Sequence, residues 1–487
     1  MMNAVLDLRP IAPAAIVAVT GLVVLLAQAF SPRGKASPSS ALSLAGLAAA
    51  LASVWLLATG PGRGSVLAGA VAADEFSLFF HALILVVAAV TVLLSGPYLR
   101  ANGMERGEYY ALLLFSVVGM LGLVSSLELV SMFVALEIMS IALYAMAGMN
   151  RARPESQESA LKYFVTGAFA SAFFLYGIAL LYGVSGSTSL DRLSRAVGLL
   201  SPGAVPLAVL GAALLLVGFG FKVASVPFHM WAPDVYEGAP TTVTAFMSAG
   251  VKAAAFGALL RVFDSALPAL GSHWRPLVAV LAIATMIVGN LAALAQPNLK
   301  RMLAYSSVAH AGYLLTAFVA APVLAGETML FYLVAYAAVN LGAFGTIAAL
   351  ARDGREPLSL RDVAGLAERR PALAAALTVF LVSLTGIPVT AGFVGKFYLF
   401  GAAVSVGGVG VLLALVGVVM SVVSAYYYLR VVVAMYMRDP VGEDDWSPVS
   451  PAAAFALAFS VAVTLLLGVW PAPLLSLARI AARSLMM

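Results

Sequence analysis

The sequence predicts an all-α polytopic membrane protein of about fourteen transmembrane helices, with helices 7 and 12 discontinuous. Three observations carry this reading. Of 487 residues, 62% are hydrophobic and 10% are charged, and the mean hydropathy is +1.02, whereas soluble domains carry about 25% charged residues. The apolar residues fall in runs of about 20 or more, the length a helix needs to cross a bilayer core. Two of these runs are too long for one straight helix and carry a proline near the middle, Pro227 in KVASVPFHMW and Pro388 in SLTGIPVTAGFVGKF, where the ring removes a backbone donor and breaks the helix.

Taken in order, the runs 11–30, 41–60 and 75–98 form an N-terminal group within residues 1–100. The opening MMNAVLDLRP lacks a basic n-region and the first run is long, so it reads as a retained helix rather than a cleaved signal. The runs 109–126, 128–149, 158–184, 205–238 and 240–263 make a five-helix unit, residues 109–263. A second unit, residues 275–437, comprises 275–296, 301–320, 327–351, 371–401 and 404–437. A last helix, 451–475, lies in the C-terminal region 451–487. Each unit has its proline-broken helix fourth, with a lysine nearby. Because five is odd, consecutive units enter the membrane from opposite sides, which predicts two inverted repeats.

Basic residues set the expected orientation. Loops after odd-numbered spans hold fourteen Lys/Arg: Arg33, Lys35, Arg100, Arg106, Arg151, Arg153, Lys300, Arg301, Arg352, Arg355, Arg361, Arg369, Arg370 and Arg438. The other side holds eight, so the positive-inside rule puts both termini on the periplasmic side. The long loop ARDGREPLSLRDVAGLAERRP is then cytoplasmic and reads as a short amphipathic surface helix. The net charge of +5 is accounted for by these loops, and nucleic-acid binding is a poor reading. With no cysteine, thiolate-held iron–sulfur clusters, disulfides and thiol catalysis are excluded. The four histidines, His81, His229, His273 and His310, show no metal-site spacing.

Ionisable residues inside the spans carry the functional reading. Lys222, Lys252 and Lys396 lie deep, where a cation costs roughly 2.5–3.5 kcal/mol on insertion scales and marks a functional site by default. Lys162 and Arg430 lie nearer a cytoplasmic edge, within reach of the headgroups. Glu137, in SMFVALEIMSIALYAM, is the deepest acid, and a buried carboxylate must pair or protonate. Its expected partner is a lysine of the broken helix, as a switch or as a static pair that fixes packing. His229 and His310 suit a proton relay between lysines, since imidazole exchanges protons near neutral pH; packing histidines are the alternative. His81 and His273 sit nearer span ends and receive no role. Asp234, Glu237 and Glu128 read as solvated or capping, and Tyr426 to Tyr428 as an interfacial aromatic belt.

GFKVASVPFHMWAPDVYEGAP, NLKRMLAYSSVAHAGY and GIPVTAGFVGKFYLF together resemble the antiporter-like membrane subunits of NADH:quinone oxidoreductase, respiratory complex I, which are related to Mrp-type sodium/proton antiporter subunits. The resemblance covers nearly the whole chain. Within it, PDVYEGAPT is similar to the N type of subunit, whereas the L and M types and the Mrp proteins read closer to PDAMEGPTP. Lys396 also stands where the M type has a glutamate.

The resemblance implies roles for Glu137 as partner of Lys222, Lys252 as central bridge, Lys396 on the exit side, Lys162 on the sixth helix, and His229 and His310. It implies a proton-translocating subunit coupled to quinone reduction elsewhere in the complex, in a bacterial inner membrane, beside similar antiporter-like subunits. NAD, FMN, iron–sulfur clusters and quinone are expected on partner subunits, with no cofactor or metal on this chain. An Mrp-type cation/proton antiporter subunit and a membrane subunit of a hydrogenase-like complex are the alternatives, and a purely structural spacer is a third reading.

Overall fold

A computed structural model describes residues 8–31, 38–60, 64–67, 69–351, 356–441 and 448–485. Arg33, Lys35, Arg352 and Arg355, used above for orientation, lie outside the described residues, as do residues 1–7. Among the described residues, thirteen helices are long and apolar enough to cross a membrane. The chain is an all-α, multi-pass membrane protein.

After a 3-10 turn the chain forms α1 (Ala12–Phe30) and α2 (Ser39–Thr59). A two-residue hairpin follows, β1 (Ser65–Val66) and β2 (Val71–Ala72), and then α3 (Glu75–Ala101), capped by Asp74 accepting from the Ser77 amide. Next come α4 (Gly107–Ser125), α5 (Leu129–Ala147), α6 (Pro154–Ser185) and the short α7 (Leu190–Gly198). Glu128 caps α5 by accepting from Ser131.

The seventh span is broken. Helix α8 (Val205–Val223) stops at Ala224, which takes a left-handed conformation (φ 59°), and α9 (Trp231–Gly238) starts after a linker carrying Pro227. The eighth span, Thr241–Ala266, is α10 (Thr241–Phe246) and α11 (Lys252–Leu260), each followed by a π-helical stretch, a geometry frequent at functional sites. The span is buried throughout, Ser265 alone being half-buried. Gly257 permits this closeness, since a Cβ there would lie 2.9 Å from the Phe80 ring.

Around it stand α12 (Gly271–Leu294), α13 (Leu299–Leu315) and α14 (Pro322–Ala349). The long loop is not a surface amphipathic helix. Among its described residues only α15 (Leu366–Arg369) is helical, because Pro357 and the left-handed Gly365 (φ 65°) interrupt the segment and Asn298 pairs with Ser359 as a β-bridge. The twelfth span is α16 (Pro371–Thr385) and α17 (Ala391–Val404), separated by Gly386 (φ 90°) and Val389 (φ 73°). Then follow α18 (Gly408–Met437), α19 (Pro451–Val469) and α20 (Ala472–Ser484). Pro471 ends the last span at Val469, earlier than the 475 expected, and turns the chain into α20.

Candidate functional site

Of the four buried lysines among the described residues, Lys222, Lys252 and Lys396 are the ones expected at the site, and each meets a different environment. Lys222, in the last turn of α8, is 3% exposed and its Nζ has no hydrogen-bond partner. It lies over aromatic rings instead, 5.1 Å from the centroid of Tyr163, 5.4 Å from Tyr144 and 5.5 Å from Phe221, within cation–π range. The negative end of the α8 dipole favours a cation there. The carbonyl of Phe221, which also receives the capping Ala224 amide at 3.1 Å, accepts from the Trp231 indole at 2.9 Å.

Lys252 donates to the carbonyl of Ser307 at 2.5 Å and to its hydroxyl at 2.6 Å, and the same hydroxyl receives Tyr336 at 2.8 Å. Lys396, on α17, donates to the carbonyls of Leu384 and Thr385, both at 2.9 Å, and lies 4.9 Å from the Tyr313 ring centroid. Those carbonyls end α16, so the ammonium satisfies groups that a broken helix leaves without partners.

Near Lys252 and Lys396, a file of polar side chains from α12, α13, α14 and α18 gathers around His310 of α13. His310 is bonded to Tyr332 through Nδ1 (2.6 Å) and to Tyr428 through Nε2 (3.3 Å). It lies within electrostatic reach of both lysines. Tyr428 also bonds the Ser306 hydroxyl. The amide of Asn290 donates to Tyr313 at 3.1 Å and its oxygen accepts from Tyr427 at 3.0 Å. Buried hydroxyls and imidazole at this spacing can pass protons along hydrogen bonds with small rotations.

Not every expected residue joins this row. Glu137 is half-buried on α5 and accepts from Ser171 at 2.5 Å. It makes no direct bond to Lys222, because Ser171 takes the carboxylate and the aromatic cage takes the ammonium; the two charges remain within electrostatic reach. His229 is half-buried in the linker after α8, its Nδ1 without a partner, and among the described residues no hydrogen bond links it to a lysine. Lys162 is 43% exposed and pairs with Glu158 and Asp234, each at 2.6 Å. It belongs to a charged clamp on α9 rather than to the buried row.

That clamp corrects the solvated reading of two acids. Asp234 also accepts from Arg301 at 2.6 Å, and Glu237 accepts from Arg301 and Asn298, both at 2.8 Å. The belt reading fails for Tyr427 and Tyr428, which are fully buried, whereas Tyr426 is exposed. An apolar helix gives no signal of which tyrosine faces inward, but the tyrosine-rich run itself was the available clue.

Sequence reasoning missed two further clusters. Glu356, in the long loop, is buried and accepts from Tyr98 (2.5 Å), Thr241 (2.6 Å), Lys300 (3.2 Å) and Arg153 (3.4 Å). Burial pushes its carboxyl up, but Lys300, the two hydroxyls and Arg153 hold it below the usual value. Arg261 lies inside the eighth span, forked onto both oxygens of Asp74 at 2.8 and 2.9 Å. His81 is buried beside Ser125 at 2.7 Å.

The family profile described as NADH:quinone oxidoreductase/Mrp antiporter, TM, matches residues 126–424. A relative from Koribacter versatilis, NADH-quinone oxidoreductase subunit N 2, is 46% identical over 99% of this chain and 98% of its own. A chain of the respiratory complex I structure from Thermus thermophilus with bound Aureothin superposes with TM-score 0.80 at 39% identity, covering 95% of this chain and 98% of that one. A chain of the Mrp complex from Dietzia sp. gives TM-score 0.85 at 25% identity over 98% and 97%. With most of its length matched by the profile and nearly all of it by that relative, the chain belongs to the NADH:quinone oxidoreductase/Mrp antiporter family of membrane subunits.

Proposed function

We propose that this chain is an antiporter-like, N-type membrane subunit of NADH:quinone oxidoreductase that moves protons along its buried lysines. The observation that supports this most is the pair of buried hydrogen-bonded sets Lys252–Ser307–Tyr336 and Tyr428–His310–Tyr332, whose His310 and Tyr336 rings lie 5.3 Å apart, with Lys396 4.9 Å from the ring of Tyr313. A structural core of this hydrophobicity gains nothing from so many buried polar groups. The 46% identity to a subunit N favours complex I over the Mrp reading.

In the proposed cycle, conformational coupling changes the distance between Glu137 and Lys222. Approach of the carboxylate favours the ammonium, and separation favours proton release. The released proton passes by Lys252 and the α13 file to Lys396. Each helix break supplies a place where backbone carbonyls face the interior, as in transporters with discontinuous helices. On this reading the units 109–263 and 275–437 are inverted repeats, and α9 and α17 are their matching half-helices.

The chain itself carries no redox chemistry in this scheme: it lacks the cysteines for iron–sulfur ligation. NAD, FMN, iron–sulfur clusters and quinone belong to partner subunits. The partners are other complex I membrane subunits, including similar antiporter-like ones, in a bacterial cytoplasmic membrane, with both termini periplasmic. The test is to tag the chain in its native membrane, extract it mildly and assay the product. Co-purifying, inhibitor-sensitive NADH:quinone activity is expected; a cation antiporter or a hydrogenase in its place overturns the assignment.

A further inference from the structure

A groove of about 770 Å³ lies on the surface between α2, α3, α14 and α20. Its walls are apolar, and among the described residues Glu75 is the only charged side chain lining it. Along α3 it extends from Glu75 to Val86, a rise of roughly 16 Å, and Val334 of α14 lines it at depth. One leaflet of a bilayer core is roughly 15 Å deep, so the groove runs the depth of a single leaflet.

Both ends match a phospholipid. At the surface end, Trp55 is exposed on α2, and indole favours the membrane interface. Leu477 and Ile480 of the amphipathic α20 form one wall and are themselves exposed. Arg483 follows one turn beyond Ile480, exposed and in no ion pair among the described residues, whereas Arg479 is occupied by Glu327 at 2.8 and 2.9 Å.

We propose that this groove is a phospholipid site, taking one acyl chain of an anionic lipid from the leaflet on the α20 side, with Arg483 receiving the phosphate. The site is independent of the proton path in its recognition chemistry, but it abuts it. Val334 lies between Tyr332 and Tyr336, the two α14 residues that hold His310 and Ser307. A bound chain therefore props the side of α14 opposite the polar file.

The experiment uses the intact complex, reconstituted into vesicles containing phosphatidylglycerol with a diazirine at the end of one acyl chain. After photolysis, labelled peptides are mapped by mass spectrometry. Label concentrated on the peptides of Val86 and Val334, and retained after exchange against excess unlabelled phosphatidylcholine, is the expected result. Ala82→Trp, which fills the groove, lowers that label by about fivefold or more, and Arg483→Gln lowers retention of phosphatidylglycerol several-fold without altering phosphatidylcholine. If Ala82→Trp does not assemble, the wild-type map and Arg483→Gln decide. Label spread evenly over all lipid-facing helices, or groove peptides cross-linked to another protein chain, overturns the proposal. Neither readout depends on proton movement.

Discussion

The ammonium of Lys222 lies 5.1 Å from the ring of Tyr163 and has no hydrogen-bond acceptor. Tyr163 in turn stacks on Trp231, centroids 4.5 Å apart, and Trp231 begins α9. A lysine held by ring faces alone is stabilised by far less than one held by a carboxylate. Its charge is thus sensitive to any movement of Glu137. In the intact complex, Lys222→Ala or Glu137→Gln should lower proton pumping or quinone turnover by roughly tenfold or more, the scale of a lost proton-transfer group. Native gels check assembly, and normal pumping in both variants contradicts the scheme.

The two hydroxyls on His310 are unequal, at 2.6 Å from Tyr332 and 3.3 Å from Tyr428. Removing the shorter bond leaves a buried imidazole nitrogen with no partner. Tyr332→Phe should therefore slow proton pumping by about tenfold, and Tyr428→Phe by about threefold. Equal effects, or the reverse order, would show that protons do not cross at His310 Nδ1.

Gly386 ends α16 at φ 90°, and a Cβ there would stand 3.0 Å from Lys396 Cδ. Gly386→Ala strains the backbone and displaces the lysine at once, at a cost of about 1–3 kcal/mol. Heating the purified complex and following its survival on native gels should show a lower midpoint, together with reduced pumping. An unchanged midpoint would mean that the break tolerates a side chain.

Asp74 and Arg261 give a pH prediction outside the proton path. Burial pushes the Asp74 carboxyl up, but the Arg261 guanidinium and Ser77 outweigh it and hold the carboxyl below its ordinary 3.8. A depressed carboxyl stabilises the fold above its unfolded value, and that contribution is lost as pH falls through the folded one. Arg261→Ala should destabilise the assembled protein by about 3 kcal/mol at pH 7, since it leaves the carboxylate without its main partner. Wild type and Asp74→Asn should converge in stability below pH 3.8; a constant difference down to lower pH would remove the ion pair as the cause.

Much of this site was legible in the sequence because bilayers make charge conspicuous. Lys222, Lys252 and Lys396 stood out in apolar runs, and the prolines at 227 and 388 marked the broken helices. What escaped was whatever depended on facing. Tyr427 and Tyr428 sit in a helix that is apolar all round, so spacing could not tell Tyr426 on the surface from its buried neighbours. Glu356 was hidden for the opposite reason: in a loop full of arginines an acid looks solvated, and only the fold brings Lys300, Tyr98 and Thr241 around it. Asp234 and Glu237 were misread likewise, since their partner Arg301 is more than sixty residues away.

The grip of Lys396 on Leu384 and Thr385 has a consequence for direction. A protonated amine has three hydrogens to donate, and two of them are anchored on these carbonyls. The third can depart while the neutral amine keeps both anchors, so no carbonyl is stranded when the charge leaves. The lone pair then points along the vacated direction alone. In the proposed path Lys396 would work as a tripod with two planted feet: protons would arrive and leave through one fixed opening, with α16 holding its end in either charge state.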